Sequence, residues 1–235
     1  MNETGQEIEL KLQFPDEEHF RATLRAAGGE SETAVRQTNH FFDDECRSLR
    51  SHAFGMRLRE EAQHYFLTAK GKKSAGEEQA ALSLRREEER EISEAEARTI
   101  LQGDACPLQT LRKHLHPERE SLLSDIEEVL EGRVLTYIGA FENRRTRVRT
   151  ELSTGQGKTL PAVLEFDRTC FPGNEVHYEL ELELTRAEDA KSAESGLRAL
   201  LQKAGATGRP ALGKATRFFA FLELEKRRTK DQNLP

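Results

Sequence analysis

Hydrophobic and polar residues alternate along six stretches of this chain: 7–13 (EIELKLQ), 54–60 (FGMRLRE), 64–70 (HYFLTAK), 82–90 (LSLRREEER), 161–167 (PAVLEFD) and 176–184 (VHYELELEL). A period of two marks a β-strand with one dry and one wet face. Residues 34–42 and 136–151, rich in β-branched and aromatic residues, are weaker strand candidates, for about eight strands in all. Helical spacing fills several gaps. Pro15 opens a segment with acids in its first turn, Phe20, Leu24 and Ala27 on one face, and Gly28-Gly29 at its end. Ser93 with Glu96 three residues on is a capping box. Further helices are predicted over 121–132, over 187–204, and from about Ala215 through Phe218, Phe219 and Leu222 to Lys226. The pattern predicts an α+β fold around one sheet, a single domain over 1–235 with a flexible tail from about residue 227.

The polar faces of these strands are strongly charged. Glu7, Glu9 and Lys11 share a face, as do Arg57 and Arg59, then Thr68 and Lys70. Arg85, Glu87 and Glu89 oppose Leu82 and Leu84; a one-residue slip would exchange them for Arg86, Glu88 and Arg90. Arg145, Arg147 and Arg149 form another set, Glu165 and Asp167 another, and Glu179, Glu181 and Glu183 the last. An antiparallel sheet with one face in water accounts for such alternation in general. Here, however, one strand carries three acids and no base on its face, and another three arginines and no acid. Like charges at such spacing repel, so they call for partners across the sheet or for a ligand. About eight strands can also close into a barrel wide enough for a small ligand, with the charged face inward and the apolar face under the helices. Arg and Lys complement phosphate oxygens, and clustered carboxylates hold hard cations such as Mg²⁺ or Mn²⁺.

Composition sharpens this picture. Of 235 residues, 33% are charged, against about 25% in an average domain. That leaves roughly 19 charges in excess. The net charge of −6 argues against a purely electrostatic nucleic-acid binder. No apolar run approaches the roughly 20 residues of a membrane span, and the N-terminus lacks the pattern of a signal peptide. Cys46, Cys106 and Cys170 stand far apart with no CxxC pair, which predicts a cytoplasmic protein without disulfides. His114-Leu115-His116 beside Pro117 reads as surface rather than as a metal pair.

Taken in order, these segments resemble the CYTH superfamily, the triphosphate tunnel metalloenzymes. Glu7-Ile8-Glu9-Leu10-Lys11 matches the family's ExExK signature, and Asn39-His40-Phe41-Phe42-Asp43 its second-strand pattern. Arg57-Leu58-Arg59 matches RxR, Lys70 the strand bearing a single lysine, and Arg85-Arg86-Glu87-Glu88-Glu89 RxExE. The strand Gly139 to Arg145 resembles one that supplies a phosphate-binding arginine. Glu165-Phe166-Asp167 matches ExD, and Glu179-Leu180-Glu181 ExE. Thr216-Arg217-Phe218 resembles the C-terminal TKF element; Arg217 stands where the family usually has Lys, and Lys214 is a rival for that position. The spacing most resembles the compact branch that includes plant and bacterial inorganic triphosphatases.

The resemblance implies an eight-stranded antiparallel tunnel that binds a linear triphosphate, most simply inorganic tripolyphosphate. It implies two divalent ions, Mg²⁺ or Mn²⁺, one clamping the phosphates and the other activating water. Glu7, Glu9, Glu87, Glu89, Asp167, Glu179 and Glu181 are then the metal candidates. Lys11, Arg57, Arg59, Lys70, Arg85, Arg145, Arg147, Lys214 and Arg217 are the phosphate candidates. Lys11, Glu7 and Glu9 are the catalytic candidates, and Lys11 could also orient the water. Thiamine triphosphatase, class IV adenylate cyclase and a polyphosphate-binding module without turnover are the alternatives. The expected partner is a small-molecule triphosphate, with no nucleic acid and no membrane; oligomeric state is not legible.

Overall fold

The structure is a computed structural model that describes residues 6–73, 82–155 and 158–232, with the backbone alone at 6–7, 72–73, 82–84, 155 and 229–232. The chain runs β1 (Gln6–Phe14), α1 (Glu17–Ala26), β2 (Val35–Asp43), α2 (Ser48–Ser51), β3 (Gly55–Glu61), β4 (His64–Lys73) and β5 (Leu82–Ile92). Helices α3 (Glu94–Gln102), α4 (Pro107–Lys113) and α5 (Ser121–Leu130) follow, then β6 (Thr136–Gly155), β7 (Lys158–Phe171) and β8 (Glu175–Glu183). Helix α6 (Ala190–Ala204), the two-residue β9 (Arg209–Pro210) and α7 (Lys214–Gln232) complete it.

The sheet order is β5-β4-β3-β2-β6-β7-β8-β1, and β1 also pairs with β5 from Gln6↔Arg86 to Leu10↔Leu82. Eight antiparallel strands therefore make a ring, with β9 added beside β1. The α+β fold expected from the alternating pattern is observed, in the form of the eight-stranded tunnel that the resemblance implies.

The ring is built with its apolar face outward. Met56, Leu58 and Leu67 of β3 and β4 pack beneath Ile100, Leu111 and Leu123 of α3 to α5. Ile8, Leu164, Phe166 and Leu180 pack beneath Phe20 of α1 and Leu197 of α6. Burial of these side chains contributes roughly 25 cal/mol per Å² of apolar surface removed from water. A third cluster gathers Phe41, Phe141, Phe171, Phe218 and Phe219, so α7 closes over one end of the ring. Gly139 makes that approach possible. It sits at φ +146 beside a register shift at Phe41/Phe42, and a Cβ there would lie 3.2 Å from the Phe218 ring.

Some bounds differ from the sequence reading. The last helix continues through 226–232, where the charged composition suggested a loose tail. Strands β6 and β7 pair out to Ser153↔Thr159 and beyond, longer than their alternating cores, because each supplies the other's backbone partners past the ring. Helix α4, with Pro107 at its start, and the short β9 carried too little periodicity to be predicted. His114 has a carboxylate partner that the sequence did not suggest: its Nε2 lies 2.8 Å from Glu96 Oε1, alongside the Ser93–Glu96 capping box.

Candidate functional site

Because the pleat sends alternate side chains to opposite faces, charged residues of seven strands converge inside the ring, with Gln37 and Asn39 from β2. They line a cavity of about 280 Å³. Lys11, Arg57, Arg59, Lys70, Arg85, Arg145, Arg147 and Lys214 all line it. So do Glu9, Glu87, Glu89, Glu165, Glu181 and Glu183. The parity chosen for β5 is the observed one: Arg85, Glu87 and Glu89 face in, while Arg86 pairs with Asp125 outside. The side chain of Glu7 lies outside the described residues. Arg149 lies beyond the rim, in a surface groove with Val163 and Asp189.

The two signs are unevenly spread. Strands β1, β7 and β8 bring Glu9 and Glu181 to one wall, with Asp167 and Glu179 fully buried behind it, and these acids meet two ammonium groups. Lys214 Nζ lies 2.8 Å from Asp167 Oδ2, 2.8 Å from Glu179 Oε2 and 2.6 Å from Glu181 Oε1. Lys11 Nζ lies 3.0 Å from Glu9 and 2.9 Å from Glu181. Arg145 joins them, donating to Asp167, Glu165 and Glu181. On the other wall, Arg59 Nη2 donates to Glu89 at 3.1 Å and Arg57 Nη2 lies 3.3 Å from the same carboxylate. Lys70 Nζ is 3.3 Å from Glu87.

These groups hold one another in the charged state. Burial opposes charge on Lys11 and Lys214, but the surrounding carboxylates, led by Glu181 for Lys11 and Asp167 for Lys214, leave both ammonium pKa values raised. Burial likewise pushes Asp167 up, and the Arg145 and Lys214 cations reverse this, bringing it down to about 2. Glu181 is also held well below the ordinary carboxylate range, against burial, by Lys11, Lys214 and Arg145. Burial lowers Arg59, with Arg57 beside it adding to the effect.

One set of donors is left over. The Nε–H groups of Arg57, Arg59 and Arg85 are buried without a hydrogen-bond partner. Buried donors without partners cost about 1–3 kcal/mol each, and the three arginines that carry them line the same cavity.

The acids fit a hard cation in kind. Carboxylate oxygens of Asp167, Glu179 and Glu181 already converge on one point, the Lys214 ammonium, and oxygen donors are what Mg²⁺ and Mn²⁺ take. Among the described residues, no group of three or more acids, histidines or cysteines is disposed to ligate an ion as it stands. The carboxylates are turned onto Lys and Arg instead.

Several residues in and beside the cavity escaped the sequence reading. Glu61 lies 3.6 Å from Arg59 Nε and 2.7 Å from Arg147 Nη1, and accepts from Gln37 at 2.9 Å. The RxR alternation continued by one step would have found it. Asn143 donates to Gln37 and Asp167 and accepts from Thr169, a buried polar network with no charge to advertise it.

No curated protein matches the chain. Among solved structures, it resembles HpAC1 from Hippeastrum, described as a candidate adenylyl cyclase with a dominant triphosphatase activity, at 22% identity and TM-score 0.70, over 91% of this chain and 95% of that one. It also resembles a candidate adenylate cyclase from Bacillus halodurans, at 23% identity and TM-score 0.60, over 92% and 99%. A third, a candidate adenylate cyclase from Vibrio parahaemolyticus, aligns at 15% identity and TM-score 0.50, over 90% and 97%. These likenesses establish a shared fold. The CYTH domain model matches residues 5–219, nearly the whole chain, and the chain belongs to that family.

Proposed function

We propose that this protein hydrolyses the terminal phosphoanhydride of a linear triphosphate, with inorganic tripolyphosphate as the substrate and a divalent metal as cofactor. The observation that carries the reading is the convergence of Arg57, Arg59, Lys70 and Arg85 on one cavity that also gathers the carboxylates of Glu9, Glu87, Glu89 and Glu181. A polyanion in the cavity would supply acceptors to these guanidinium groups, and bidentate guanidinium–phosphate contacts are among the stronger hydrogen bonds in proteins. Lys70 and Lys214 add charge along the same cavity.

Metal candidates are Glu9, Glu87, Glu89, Asp167, Glu179 and Glu181, with Glu7 assigned by the motif alone. When bound, Mg²⁺ or Mn²⁺ would neutralise phosphate oxygens and lower the pKa of a coordinated water. Phosphoryl transfer asks the protein mainly for positioning and charge neutralisation, and this chain's residues supply both. The arginines hold the equatorial oxygens in place. Lys11, between Glu9 and Glu181, is placed to orient the attacking water. Attack on the terminal phosphorus breaks its bridging P–O bond and releases orthophosphate and diphosphate.

Comparing tripolyphosphate, thiamine triphosphate and ATP under one set of conditions tests this assignment. The expected order places tripolyphosphate first in kcat/KM. Cyclic AMP from ATP, or faster turnover of thiamine triphosphate, would reassign the substrate.

A further inference from the structure

Two basic residues compete for the C-terminal position of the tunnel, Lys214 and Arg217, one helical turn apart on α7. Their surroundings differ. Lys214 lines the cavity. Arg217 lies behind it, 8% exposed, with its donors committed in three directions. Its Nε–H donates to the Leu212 carbonyl at 3.0 Å, Nη1 to His177 Nδ1 at 2.6 Å, and Nη2 to Glu179 Oε1. Its guanidinium carbon sits 5.1 Å from the centre of the Phe171 ring. His177 in turn packs edge-on against Phe171 and Phe221, and Gln13 Nε2 approaches its Nδ1 at 3.2 Å.

We propose that Arg217 is a positioning residue rather than a phosphate contact. With His177 as its second anchor, it fixes the Glu179 carboxylate for metal binding, and Lys214 is the base that α7 presents to the phosphate. This rests on the metal-dependent triphosphatase reading above. The planar fork is what the site uses: it joins a strand carboxylate, a strand imidazole and the carbonyl of the loop leading into α7, all at once. His177 accepts from Arg217 through an unprotonated Nδ1, so a neutral imidazole carries its proton on Nε2. A lysine at 217 would keep the charge but could not make these three bonds together. Yet if residue 217 simply touched phosphate, a lysine would serve nearly as well.

Isothermal titration with two probes separates the roles: sodium tripolyphosphate in EDTA, and Mn²⁺ alone. Lys214→Gln should weaken tripolyphosphate binding by about tenfold or more. Arg217→Lys should leave it within about threefold and should weaken Mn²⁺ binding by about 10- to 100-fold, the usual consequence of losing a partner of a metal-ligating side chain. His177→Leu, which leaves Arg217 and Glu179 in the chain, should show the same signature, so the test does not depend on one variant. Unchanged Mn²⁺ affinity in Arg217→Lys and His177→Leu would overturn the proposal. So would an Arg217→Gln variant that loses tripolyphosphate as severely as Lys214→Gln does. A wild-type protein that binds neither probe is a different result: it contradicts the triphosphatase reading itself, and the role of Arg217 with it.

Discussion

Glu9 shows how single residues in this tunnel combine two demands. Its carboxylate lies 3.0 Å from Lys11, whose ammonium is also 2.9 Å from Glu181. Lys11 therefore keeps a partner if Glu9 is neutralised. Glu9→Gln should lower triphosphatase activity by about 100-fold or more, while stability measured by urea unfolding falls by about 1–2 kcal/mol or less. An activity loss that merely follows unfolding would remove Glu9 from the site. Asp167 makes the corresponding case for pH. Burial raises its pKa, and Arg145 and Lys214 more than offset this, leaving it at about 2. A depressed carboxylate stabilises the fold fully above its unfolded value, about 4, and that stabilisation is lost as pH falls through the folded value. The urea midpoint should therefore drop between pH 4 and pH 2, and Asp167→Asn should flatten that part of the profile. An unchanged slope in the variant would show that Asp167 is not held down as described.

The strands were the most legible elements, and the reason is physical. A period-two alternation of charge and hydrocarbon such as 176–184 can satisfy only a pleat with two unlike faces, so both the strand and its inward residues could be read together. Arg85, Glu87 and Glu89 were placed by the parity of their leucine neighbours. What stayed hidden depended on contacts made far away in sequence. Asn143, Gln37 and Thr169 interact only once β2, β6 and β7 are side by side. Arg217 matched a phosphate-binding motif by position, and only packing against Phe171 and His177 shows its other engagements. Helix α7 continues into a charged stretch that has no apolar stripe to announce it. Its aromatic end is testable as an element. Phe218 is fully buried among Phe41, Phe141 and Phe219, and Phe218→Ala should cost about 3–5 kcal/mol in chemical unfolding. A loss below about 1 kcal/mol would mean that α7 does not close that end of the ring.

At the scale of the whole molecule, the excess of charge has a location. The ring turns its apolar face out to two helical layers and its charged face in, so much of what composition alone assigns to a wet surface lines the cavity. Acids and bases there largely neutralise one another, which is why the net charge of −6 says little about the ligand. No helix among the described residues is long and apolar enough to cross a membrane. In the proposed hydrolysis these paired charges exchange partners, the arginines taking phosphate and the carboxylates taking metal. The most direct test is orthophosphate release from tripolyphosphate by the purified protein with Mg²⁺ or Mn²⁺, and again with excess EDTA. Metal-dependent hydrolysis gives steady release that EDTA abolishes and added metal restores. Folded protein that releases no phosphate with either metal, or releases it equally in EDTA, would contradict it.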